Sequence, residues 1–171
     1  MSRAAAVVAR SLKDASRFGV EGGLQSLVLH ASDDLVCRNL MCEKVGEACV
    51  CRLAVTLSRL KDLRELDVSG NRLGILPDTV FALTGLERLD LSGNNLETIP
   101  SGISRLTELR YLHLSNNSLT RLPSEMEQLT RLEELHVDGN EFMRGILEET
   151  LGRLPGLQIV GEAEQRLMQR T

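Results

Sequence analysis

The chain has 171 residues and a formal net charge of −4, with 42% hydrophobic but only 2% aromatic residues. That length allows one domain with a sizeable core, and the shortage of rings forces the core to be aliphatic. The acidic balance and the missing aromatic platforms argue against a nucleic-acid or anionic-membrane footprint, and no apolar run reaches the roughly 18 residues of a membrane span.

Residues 1–23 stand apart. Arg3, Arg10, Lys13 and Arg17 face a single acid, Asp14, while Ala4, Val8, Leu12, Ala15 and Phe18 recur at helical spacing. This spacing predicts an amphipathic helix with a basic and an apolar face. Two roles fit it. As a cap, Val8, Leu12 and Phe18 would cover the open edge of whatever follows. As a mitochondrial transit peptide, it would be Arg-rich and acid-poor in the same way. The apolar run at residues 4–9 is too short for a secretory signal.

Residues 24–62 begin with Leu24, Leu27 and Leu29 in an L-x-x-L-x-L spacing that then fails, with Ser32 and Asp34 at the next key positions. A helical period over residues 43–60 carries Val45, Cys49, Leu53, Leu57 and Leu60. All four cysteines, Cys37, Cys42, Cys49 and Cys51, fall in this stretch. The expectation is thiols packed as small apolar groups. A zinc site with His30 as a further ligand is the alternative, although only Cys49-x-Cys51 is closely spaced.

Residues 63–156 repeat one phrase four times: LRELDVSGNRLGILP from Leu63, LERLDLSGNNLETIP from Leu86, LRYLHLSNNSLTRLP from Leu109 and LEELHVDGNEF from Leu132, with starts 23 residues apart. In the first unit Leu63, Leu66 and Val68 alternate with Arg64, Glu65 and Asp67, which predicts a short strand with apolar residues in and polar residues out. One unit cannot bury its apolar side alone, so the units must stack as parallel strands on a shared core. Asn71, Asn94, Asn117 and Asn140 keep the same phase, and an amide there can donate to and accept from buried turn backbone. Leu73, Leu96, Leu119 and Phe142 extend the core. Pro77, Pro100 and Pro123 start return segments carrying Val80 and Leu83, Ile103 and Leu106, and Met126 and Leu129. The fourth unit departs from this, with Ile146 at the proline position and Leu151 and Leu154 in phase after two extra residues.

In-register strands align equal offsets into columns on the exposed side. One column reads Arg64, Glu87, Arg110, Glu133. The next reads Glu65, Arg88, Tyr111, Glu134. A third reads Asp67, Asp90, His113, His136, flanked by Ser69, Ser92, Ser115 and Asp138. A mixed-charge face around the chain's only tyrosine has the composition of a protein-binding surface. The bland alternative is a solvated face of weak ion pairs. His113 and His136 beside Asp90 and Asp138 also admit an open metal site, but paired exposed histidines rarely bind metal, and neither metal nor cofactor is expected. Residues 157–171 close the stack with Leu157, Ile159 and Val160 as a truncated strand, followed by a charged helix.

Catalytic signatures are missing from the sequence, with no G-x-S-x-G elbow, phosphate loop, G-x-G-x-x-G or H-E-x-x-H. The repeated L-x-x-L-x-L-x-x-N-x-L units with their L-P steps resemble the intracellular leucine-rich-repeat proteins, including the Ras-group scaffolds and plant relatives. The resemblance is specific over residues 63–154 and weaker over 24–62. It implies an α/β fold, a curved right-handed solenoid with a parallel sheet on its concave side, short helical caps, and a protein-binding role in signalling or assembly. The expected function is a non-catalytic adaptor in the cytoplasm, a monomer or a subunit of a hetero-complex, binding a protein through the concave face. The alternative is a structural subunit of a larger assembly, mitochondrial in one version, held by the N-terminal helix or the Cys-containing insertion.

Overall fold

A computed structural model of the protein describes residues 7–21, 23–36, 49–142, 154 and 157–160. Seven parallel strands form one sheet in chain order: β1 Val7–Ala9, β2 Leu24–Val28, β3 Glu65–Asp67, β4 Arg88–Asp90, β5 Tyr111–His113, β6 Glu134–His136 and β7 Gln158–Val160. From β2 to β7 the register never slips, and Leu27, Leu66, Leu89, Leu112, Leu135 and Ile159 form one row. The leucines of that row are buried and Ile159 packs partly against them. The chain is therefore an α/β solenoid in which every unit borrows its neighbours to hide its apolar side.

The prolines begin the return segments as expected. Pro77, Pro100 and Pro123 sit at extended backbone angles immediately before 3-10 turns at Asp78–Ala82, Ser101–Arg105 and Ser124–Gln128. Proline's fixed φ suits that entry, and its missing N–H costs nothing at a helix start. Val80, Ile103 and Met126 then point fully inward.

The asparagine column is a continuous buried ladder. Asn94 Nδ2 donates to Val68 O (3.0 Å), Leu91 O (2.9 Å) and Ser92 O (3.3 Å), so one amide grips its own turn and the unit before it. Its Oδ1 accepts from Asn71 N (3.2 Å) and Leu73 N (2.9 Å). Asn71 reaches back to Leu29 O (2.7 Å), Asn117 to Leu91 O (3.0 Å) and Asn140 to Leu114 O (2.9 Å) in the same way. Each turn would otherwise strand buried backbone groups, at about 1–3 kcal/mol apiece.

The first unit is a true member of the stack. Its Ser32 lacks the amide because the ladder arrives from the other side: Asn71 Oδ1 accepts from Ser32 N (2.7 Å), while Ser32 Oγ caps the 3-10 turn Asp33–Leu35. Asp34 replaces the expected leucine because it serves the N-terminal segment. Its Oδ2 accepts from Leu12 N (2.7 Å) at the start of α1, Leu12–Glu21, and Arg52 of α2, Cys51–Leu57, donates to its backbone oxygen (3.1 Å). Ser11 Oγ caps α1 by accepting from Asp14 N (3.0 Å) and donates in turn to Asp14 Oδ2 (2.7 Å).

The N-terminus corrects the expected single helix. Residues 7–9 form edge strand β1, whose Val7 and Ala9 pair with Leu24 and Leu27, and the helix begins only where Ser11 can cap it. Leu12 and Ala15 are buried and Phe18 packs beside them, but Val8 is 47% exposed and covers nothing. Its β-branched side chain lies on a strand, so the helical period that placed it on the packing stripe does not apply. In the insertion, Cys49 is buried as expected, whereas Cys51 is exposed at the start of α2. The two sulfurs lie 2.7 Å apart. Cys37, Cys42, Val45, Ile146, Leu151 and the charged segment after residue 160 lie outside the described residues; Leu154 is buried.

A left-handed residue precedes every ladder position: Gly70 (φ +69°), Gly93 (φ +63°), Asn116 (φ +56°) and Gly139 (φ +67°), and in the first unit Ala31 (φ +42°). Alanine is the one member with a Cβ and no polar side chain to offset this geometry. Ala31→Gly is therefore expected to stabilise the protein by about 0.5–1 kcal/mol, although glycine usually does the opposite. Urea unfolding measures this, and an unchanged or lowered midpoint would show that Ala31 carries no strain.

Candidate functional site

Strand periodicity turns the residues between the buried leucines out onto the open side of the sheet, and the register aligns them as the sequence predicts. Ser26, Glu65, Arg88, Tyr111, Glu134 and Gln158 form one column, and Val28, Asp67, Asp90, His113, His136 and Val160 another. The expected Arg64, Glu87, Arg110, Glu133 column resolves into two ion pairs, Arg64 with Glu87 at 3.4 Å and Arg110 with Glu133 at 2.7 Å. All four side chains are about half exposed, so each pair contributes under about 1 kcal/mol.

The centre of the face is more ordered. Arg88 lies over the Tyr111 ring with its guanidinium carbon 4.1 Å from the ring centre, a cation–π contact that carries the arginine toward β5. Asp67 and Asp90 are register partners, and each fixes one oxygen to its own turn. Asp67 Oδ1 accepts from Ser69 N (2.9 Å) and Ser69 Oγ (2.6 Å), and Asp90 Oδ1 accepts from Ser92 N (2.9 Å) and Ser92 Oγ (2.6 Å). A depression of about 210 Å³ opens between β2 and β5, lined by Ser26, Val28, Glu65, Asp67, Arg88, Asp90, Tyr111 and His113 above Leu66 and Leu89. Ser26 and Val28 were missed as site residues because the first unit looked irregular. The signal was present, since Leu24, Leu27 and Leu29 put them at the offsets of Glu65 and Asp67.

The His113 and His136 rings meet with centres 4.0 Å apart and planes tilted by 51°. His113 Nδ1 lies 3.5 Å from Asp90 Oδ2, and His136 Nε2 lies 3.6 Å from Glu134 Oε2. Among the described residues no three His, Cys, Asp or Glu side chains gather as metal ligands. His30, considered above as a zinc ligand, meets Ser69 Oγ at 2.7 Å.

This geometry, a parallel strand stack closed by an asparagine ladder and carrying ordered polar columns, defines the class of leucine-rich-repeat solenoids. The family profile described as leucine rich repeat matches residues 61–119 and 100–142, and the chain is a leucine-rich-repeat protein. The solved structure of an LRR protein from Leptospira interrogans is similar at 34% identity and a TM-score of 0.67, over 85% of this chain and 33% of that one. The chain thus spans about a third of the length of that relative. No curated protein matches the sequence. Leucine-rich-repeat domains generally mediate protein–protein interaction and are typically non-enzymatic.

Burial pushes the His113 imidazole below its ordinary range, helped by the neighbouring His136 and Arg88 and opposed by Asp90 and Glu134. The neutral ring is thus favoured by folding, and the folded state binds fewer protons than the unfolded chain just below pH 6.5. Stability should fall as pH drops from about 6.5 through the lowered folded value. Asp90→Asn, which removes the main opposing charge, should lower it further, and His136→Ala should raise it. Imidazole proton shifts followed against pH decide this; a His113 that titrates at or above 6.5 would contradict it.

Proposed function

We propose that this chain is a non-catalytic adaptor that docks a protein partner on the concave strand face, in signalling or complex assembly. The observation that carries the proposal is the Arg88–Tyr111 stack beside an open depression, flanked by charged columns. Aromatic and arginine side chains held rigidly at the centre of a polar surface are the usual anchors of protein interfaces, because they desolvate large areas at low entropic cost. The residues proposed to meet the partner are Arg64, Glu65, Asp67, Glu87, Arg88, Asp90, Arg110, Tyr111, His113, Glu133, Glu134 and His136. No metal or cofactor enters the proposal. The acidic balance weighs against nucleic acid as the partner, and no helix among the described residues is long and apolar enough to cross a membrane.

The proposed setting is the cytoplasm, with the protein acting as a monomer or as a subunit of a hetero-complex. The support for the first part is that Leu12 and Ala15 are core residues, so removal of the N-terminal segment would uncover the apolar edge of the stack. The segment is then retained as a cap.

Tyr111→Ala and Arg88→Glu should each reduce the partners recovered by proximity labelling in cells by at least about tenfold, consistent with hot-spot losses of 2 kcal/mol or more. Both side chains lie at the surface, so circular dichroism and thermal midpoint should stay near the wild type. Unchanged recovery of the same partners by both variants would remove the concave face as the docking surface.

A further inference from the structure

The strand face makes no use of Cys49 and Cys51. Their sulfurs lie 2.7 Å apart, and the Cys51 N–H donates to Cys49 Sγ at 3.4 Å. The pair is in its dithiol state. Two non-bonded sulfurs ordinarily keep a wider separation, whereas a disulfide holds them at about 2.05 Å. The surrounding chain enforces the approach. Cys49 N donates to Leu35 O (2.8 Å), which pins that residue to the first unit. Beyond Cys51, α2 seats Leu53 and Leu57 in the core, and Arg52 donates to Asp34 O (3.1 Å). The two cysteines are thus held from both sides of Val50, and neither backbone can carry its sulfur away without breaking those contacts. Exposure divides the pair, since Cys49 is buried and Cys51 is open to solvent. Two thiolates sharing one tetrahedral zinc, each about 2.3 Å from the metal, would stand roughly 3.8 Å apart. Among the described residues no third ligand joins them. The spacing therefore suits a sulfur–sulfur bond better than a metal.

We propose that Cys49 and Cys51 form a thiol–disulfide exchange site, which reacts with a small-molecule disulfide of the glutathione class and closes to an internal disulfide. Cys51 is the residue a reagent in solution meets first. As its thiolate it attacks one sulfur of the small disulfide; that S–S bond breaks, a mixed disulfide forms on Cys51, and one small thiolate leaves. Cys49 then gives up its proton to water and attacks Cys51 Sγ. The Cys49–Cys51 bond forms, and the second small thiolate leaves. Two electrons pass from the cysteine pair to the small disulfide, and the two cysteine protons end on the two released thiols. The Cys51 N–H points at Cys49 Sγ, where negative charge gathers before the second attack. Because the sulfurs already meet, that attack needs little motion. The ring it closes spans the single residue Val50. Strained or exposed disulfides are the labile ones, so excess thiol reopens it. The start of α2 is thus a reversible redox modification point, separate from the strand face.

The test incubates the reduced full chain with oxidised glutathione, quenches in acid, digests with trypsin and weighs the peptides. Cleavage after Lys44 and Arg52 isolates residues 45–52, which hold Cys49 and Cys51 and neither of the other cysteines. That peptide should lose the mass of two hydrogens, and excess reduced glutathione should restore it. Cys49→Ser should stop at the mixed disulfide on Cys51. Cys51→Ser, at an exposed position, should keep the thermal midpoint of the wild type and take up glutathione on Cys49 at least about tenfold more slowly than Cys49→Ser does on Cys51. An unchanged 45–52 peptide, a bond from Cys49 or Cys51 to Cys37 or Cys42, or equal rates in the two variants would overturn the proposal. So would stoichiometric zinc on the purified chain that shields the pair until it is chelated, which would make the two cysteines metal ligands.

Discussion

Everything in this fold depends on a buried amide being able to serve two turns at once. A stack of short strands leaves a column of turn backbone on the inside, where water cannot reach it. Asn71, Asn94 and Asn117 are 4–8% exposed, and each donates to its own unit and the preceding one. The ladder therefore ties successive units into one register. That register aligns Glu65, Arg88, Tyr111 and Glu134 across neighbouring strands, and with them the face on which binding is proposed.

The ends of the ladder explain the irregular units. At the start a serine stands in the asparagine column: Ser32 N donates to Asn71 Oδ1 and its hydroxyl caps the turn at Asp33–Leu35. Asp34 holds the first N–H of α1 and approaches Arg52 of α2, so the cap, the first turn and the insertion converge on one carboxylate. Exposed polar residues over buried Leu12 and Ala15 then face the solvent at the open end of the core, as solenoid ends require.

The repeats were legible because their period is exact and their chemistry is single-valued: buried leucines alternate, an amide recurs, a proline starts each return. The strand columns followed from the period alone. What was not legible came from local competition. Val8 read as part of a helical stripe, but an available strand edge at β2 and a helix-capping Ser11 three residues later favour a strand. Cys51 was expected to pack with the other thiols, yet it lies two residues off the stripe of Cys49 and Leu53 and faces outward as the first residue of a seven-residue helix. On the face itself the sequence placed every charge but could not say which would pair. Arg88 could have met Glu65 beside it and instead stacks on Tyr111, a choice made by rotamers and not by spacing.

Hydrogen exchange of the Asn94→Ala variant tests the role of the ladder most directly. Asn71 N and Leu73 N both donate to Asn94 Oδ1, and Val68 O and Leu91 O both accept from its amide. If the ladder holds the strands in register, the amides of Asn71 and Leu73 lose protection first, and those of β3 and β4 follow while β6 stays protected. A uniform fall in protection across all strands, or none at Asn71 and Leu73, would show that leucine packing alone orders the stack.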